Sequence, residues 1–60
     1  MYQVTAEDSG GNALWDRETS NKVVAFDWFR DQIATNGAAR AHVFEGGNVI
    51  ARYDVDGHDL

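Results

Sequence analysis

Apolar and polar residues alternate from Tyr2 to Glu7, placing Tyr2, Val4 and Ala6 on one face of a strand. The run Asp8-Ser9-Gly10-Gly11-Asn12 is turn chemistry, with glycines free to take positive φ. Ala13 to Glu18 then resumes as a second strand, so the first eighteen residues read as a β-hairpin. The register of this second strand stays open, because Leu14 and Trp15 point to opposite faces and either can meet the core.

Thr19, Ser20 and Asn21 each suit an N-cap, and a helix is expected from about residue 21 to residue 36. Asn36-Gly37 is its stop, with Gly37 as the left-handed residue that ends it. At about 100° per residue, Ala25, Phe26, Phe29 and Ile33 gather on one side as the core stripe. Trp28 and Val24 fall outside that stripe, one turn apart and surrounded by Asp27, Asp31 and Thr35.

Residues 38–45 form a third strand, with Ala39, Ala41 and Val43 on one face and Arg40, His42 and Phe44 on the other. Residues 48–56 form a fourth, with Val49, Ala51, Tyr53 and Val55 opposed to Ile50, Arg52, Asp54 and Asp56. Glu45-Gly46-Gly47-Asn48 between them signals a tight hairpin. The expected architecture is α+β: a single ββαββ domain over residues 1–60, with a four-stranded antiparallel sheet and one helix packed on one face. Alternatively, the hairpins pair across a dimer. The tail from Gly57 to Leu60 is expected to be loose.

This architecture leaves apolar groups over. Phe44 and Ile50, joined by Leu14 or Trp15, belong to the sheet face turned away from the helix, beside Arg40, His42, Arg52 and Asp54. An antiparallel sheet with one wet face normally makes that face polar. Burying Phe44 and Ile50 is worth roughly 1.5–3 kcal/mol each, against a domain stability of only about 5–15 kcal/mol. The residues expected at a protein interface are therefore Val24 and Trp28 on the helix and Phe44, Ile50 and Arg52 on the sheet. The bland readings are that the sheet or a loop buries Trp28, and that the sheet residues are ordinary scattered surface hydrophobics.

Size sharpens the argument. A 60-residue chain buries only about 60% of the surface its unfolded form exposes. Such domains lean on disulfides, metals or self-association. The chain has no cysteine and two histidines, His42 and His58. Homodimerisation, through the open face or a free strand edge, is the easiest of the three to supply. The formal net charge of −5 argues against nucleic acid as a direct ligand and against anionic membrane. It is compatible with a basic cellular or host protein. No apolar run reaches the roughly 18–20 residues of a membrane span. The first residues lack a basic segment followed by an apolar one, so a cytoplasmic location is expected.

No residue set matches a catalytic or cofactor-binding pattern. Asp54-Val55-Asp56-Gly57-His58-Asp59 looks like a calcium loop, yet placing Gly57 at the sixth position puts Arg52 at the first. His42 has no cysteine or serine nucleophile beside it, since Ser9 and Ser20 occupy turn and cap positions. Asp27 and Asp31 read as a solvated helix face rather than an acid–base pair. The glycine pairs belong to hairpins and open no helix as a phosphate loop does. Neither an enzyme nor a cofactor or metal protein is expected.

Arginine at positions 17, 30, 40 and 52 against the single Lys22, with abundant alanine, valine and aspartate, and the segment from Gly37 to Val43, give a distinctive texture. It resembles that of small proteins from high-GC actinobacteria and their phages. The resemblance implies a small regulatory or host-interacting protein and carries over no functional residue. The functional expectation is a non-catalytic, cytoplasmic interaction module acting as a homodimer. One alternative is an acidic inhibitor imitating nucleic acid, using Asp16, Glu18, Asp27, Asp31, Asp54 and Asp56 against a DNA-binding protein. Another is a small-ligand or catalytic site between subunits, containing His42 and a carboxylate.

Overall fold

The structure is a computed structural model and describes residues 1–55. The elements are β1 (Tyr2–Glu7), β2 (Ala13–Thr19), α1 (Lys22–Ala34), β3 (Arg40–Glu45) and β4 (Asn48–Asp54). The strands form one sheet in the order β2-β1-β3-β4, and every neighbouring pair is antiparallel. The ββαββ architecture expected from the sequence is the one found. Both hairpins lie in the same sheet, joined through β1 and β3. β2 and β3 run parallel with β1 between them, so the chain must cross the sheet to connect them. α1 makes that crossing and covers one face.

Two tight turns shape the hairpins. Gly46 and Gly47 have φ of 56° and 86°, the positive pair of a type I′ turn that side chains resist. In the first hairpin, the Asp8 carboxylate accepts backbone N–H bonds from Gly10 and Asn12, both at 2.9 Å. These bonds, with the Asn12 backbone contribution foremost and its side-chain amide next, hold the Asp8 carboxyl below its ordinary value. A depressed folded pKa stabilises the fold above the ordinary aspartate range. That contribution disappears as pH falls through the folded value. Asp8→Asn should therefore lower stability at neutral pH and flatten part of the acid decline. Urea titrations at about pH 7 and about pH 3 check this; equal pH slopes in both proteins would remove Asp8 from the account.

The helix starts one residue later than expected because Asn21 is its cap. Asn21 is extended (φ −105°, ψ 115°), and its side-chain oxygen accepts from the N–H groups of Val23 and Val24 at 2.9 and 3.3 Å. At the other end regular helix stops at Ala34. Gly37, at φ 68°, turns the chain so that the Ala38 N–H reaches the Gln32 carbonyl at 3.0 Å.

The core is thin. Val4 and Val43 are its largest fully buried side chains, packed with Ala25. Ala6, Ala38 and Ala41 form a second buried group beside them. Alanines on both layers let the helix approach the sheet closely, and larger side chains close the margins. Tyr2, Trp15, Phe26, Trp28 and Phe29 pack against the valine group, and Ile33 against the alanine group. Trp15 meets Trp28 edge to face at 5.0 Å, and Phe26 meets Phe29 the same way at 6.3 Å.

Three details correct or complete the sequence reading. The buried residues of α1 are Ala25 and Gln32, the latter only 6% exposed, and half-buried Phe26, Trp28, Phe29 and Ile33 pack on the core around them. The core face is thereby wider than Ala25, Phe26, Phe29 and Ile33 alone, and Trp28 packs on it instead of standing outside. Trp15, not Leu14, is the β2 residue that meets the helix layer. Finally, a bulge in β4 pairs Val43 with Ala51 but Phe44 with Val49, leaving Ile50 as the extra residue. Val49 therefore stands opposite Phe44 on the open face instead of with Ala51 and Tyr53. A matching irregularity in the first hairpin pairs Ala6 with Trp15 and Glu7 with Ala13, leaving Leu14 over.

Candidate functional site

Residues opposite one another in an antiparallel ladder share a face. The registers therefore assemble the face away from α1 into three rows. Glu18, Gln3, Phe44 and Val49 form the first; Asp16, Thr5, His42 and Arg52 the second; Ala13, Glu7, Arg40 and Asp54 the third. Among the described residues no other element lies over this face.

Its apolar part sits at the β3–β4 end. Phe44 and His42 stack with ring centroids 5.8 Å apart, and both are half-buried. Val49 and Ile50 beside them are 45% and 37% exposed. The bulge concentrates this apolar surface, since it puts Val49 and Ile50 next to Phe44 when strict alternation would have parted them.

The charges are sorted across the sheet. At one end of the middle row Asp16 accepts a bond from the Gln3 amide at 3.0 Å. At the other end Arg52 is exposed and makes no ion pair with a described residue. The third row is internally matched, because Arg40 lies 3.2 Å from Glu7 and 3.6 Å from Asp54. Glu18 adds a second carboxylate at the β2 edge.

No protein-family model matches the chain, and comparison with curated proteins and with solved structures yields no match. Function must therefore be argued from this surface and its chemistry alone.

The registers put Phe44 and Arg52 on the open face, with Ile50 as the unpaired bulge residue next to Val49. Val24 and Trp28 lie on the helix layer instead, both half-buried. Trp28 spends much of its ring on Trp15, while the Arg17 guanidinium lies 5.5 Å from the Trp15 ring centre. The two groups of candidates cannot form one continuous patch, because the sheet separates them.

The sequence reading missed the middle row, where Thr5 falls between Asp16 and His42. The composition of that row is that of a hydrolytic triad, but its order is not. The imidazole must stand between hydroxyl and carboxylate to pass a proton, and no hydrogen bond joins Thr5 to His42 among the described residues. Gly57 and His58, on which the calcium-loop comparison turned, lie outside the described residues. No group of three or more described His, Asp or Glu side chains is placed to hold a metal. No described helix is long and apolar enough to cross a membrane.

The acidic residues occupy both layers. Asp16 and Glu18 belong to the open sheet face. Asp27 and Asp31 belong to α1, where Asp27 pairs with Arg30 at 2.6 Å and Asp31 accepts from the Thr35 hydroxyl at 3.1 Å. Imitation of a nucleic-acid backbone needs one contiguous line of charge, and this division works against it.

Proposed function

We propose that the protein is a non-catalytic interaction module that acts as a homodimer in the cytoplasm, with the open sheet face as its contact surface. The observation that carries this reading is the apolar group Phe44, Val49 and Ile50 on a face that no described element covers. A sheet needs its second face either polar or covered. Here the apolar side chains cluster in adjoining positions of β3 and β4, unlike the scattered surface residues ordinary monomers carry.

Scale supports the proposal. A standard interface takes about 800 Å² from each partner, about a fifth of the 3884 Å² accessible surface of the chain. A two-layer domain offers that much on a sheet face and little more. Area alone does not set affinity; because Phe44 is already half-buried in the single chain, the apolar gain is small and association in about the micromolar range is expected. The proposed role is regulatory or host-directed, in keeping with the compositional resemblance to small actinobacterial and phage proteins, and the helix layer with Val24 remains free for a second protein.

Light scattering after size exclusion, across about 1 μM to 1 mM chain, tests the proposal. The expected result is a mass moving from one chain to two over that range. A single-chain mass throughout would overturn it.

A further inference from the structure

Resting on that dimer reading, we infer that two copies pack face to face about a two-fold axis parallel to the strands, so that Arg52 meets the partner's Asp16 at both edges of the interface. The middle row of the face runs Asp16, Thr5, His42, Arg52 across β2, β1, β3 and β4. Strands lie about 4.8 Å apart, so Asp16 and Arg52 of one copy are separated by about 14 Å, too far to pair. A two-fold axis along the strands, midway between β1 and β3, exchanges left with right and leaves each row at its own level. It lays β4 over the partner's β2, and the exposed cation of each copy meets the carboxylate of the other.

The same operation treats the apolar groups unevenly. β3 lies next to the axis, so Phe44 and the partner's Phe44 become neighbours on either side of it in the first row, each stacked on its own His42. Val49 at the β4 edge lies over the partner's Glu18, and in the third row Arg40 lies over the partner's Glu7. Charge complementarity in the second and third rows favours this axis, and isologous contact about one axis is the usual symmetry. Other axes serve less well. A two-fold across the strands puts Arg52 on Arg52. An axis shifted between β3 and β4 overlaps only those two strands and forfeits about half the area.

Two charge reversals and their mixture provide the test. R52E makes both ends of the row acidic, and D16R makes both basic. Each variant alone is expected to dimerise at least tenfold more weakly than the original chain at low salt. Mixed one to one, they should form a heterodimer at near-original affinity. One edge of that heterodimer pairs the introduced carboxylate with the introduced guanidinium, and the other pairs the native Asp16 with the native Arg52. Sedimentation velocity reads all three, with circular dichroism confirming that both variants fold. If the original chain dimerises and neither reversal weakens it, or the mixture stays as weak as its parts, this geometry is wrong while the dimer stands. If the neutral variant R52Q alone strengthens association, the axis runs across the strands and the inference is overturned. If the original chain never dimerises, the reading beneath it fails first.

Discussion

Phe44→Glu should leave the domain folded and weaken its self-association about a hundredfold. Phe44 is half-buried in the isolated chain, so a dimer gains only the remaining half of its apolar surface, about 1.5 kcal/mol. Each dimer contains two such rings, which makes about 3 kcal/mol or two factors of ten. That figure takes the upper end of the range for half a ring, and repulsion between the introduced carboxylates near the axis adds to the loss. The fold itself loses little, because position 44 lies outside both buried core groups and an antiparallel sheet accepts a polar residue on its open face. Sedimentation measures the affinity and a urea titration the fold. Unchanged association in a folded Phe44→Glu protein would move the interface off this face.

Trp28→Ala should have the opposite profile, with stability falling and the contact surface untouched. The ring packs on the valine group and edge-on against Trp15. Removing a buried tryptophan costs about 3–5 kcal/mol; for a half-exposed ring, about 2–3 kcal/mol is the appropriate fraction. A core this small supplies about 3–5 kcal/mol in total, so the variant should be partly unfolded near room temperature. Chemical denaturation followed by far-ultraviolet circular dichroism, with a stabilising osmolyte to recover the folded form, separates the two effects. In osmolyte, the refolded variant should dimerise as the original chain does. A variant that keeps full stability yet loses association would return Trp28 to the interface.

These two residues show what the pattern of the chain makes legible and where it misleads. Strand β3 is readable apart from its start, which falls at Arg40 instead of residue 38, because alternation of Ala41 and Val43 with His42 and Phe44 is a local property of an extended backbone. The Gly46-Gly47 turn is readable for the same reason, since only glycine takes two consecutive positive φ angles easily. The helix face is less so. Gln32 reads as a surface residue, but in the fold its side-chain oxygen accepts a 2.8 Å bond from the Asn36 amide while its aliphatic part is covered. A satisfied amide is buried at low cost. Polarity alone therefore hides the position that is buried with Ala25 on this helix.

The bulges are out of reach for a different reason. Nothing in the order Asn48, Val49, Ile50, Ala51 announces an extra residue, because a bulge is decided by which partner each strand residue finds across the ladder. That choice moves Val49 to the side of Phe44 and gathers an apolar surface that strict alternation would have divided. The row from Asp16 to Arg52 is likewise built from all four strands and both hairpins.

Local backbone preference and side-chain periodicity thus suffice for the elements, their order and most of the faces the strands show the helix, because these depend on neighbours a few positions away. The grouping of Phe44 with Val49 and Ile50, and of carboxylate and guanidinium at opposite ends of one row, depends on pairing between distant segments. Pairing register is a collective property of the packed sheet, so only the assembled fold sets it.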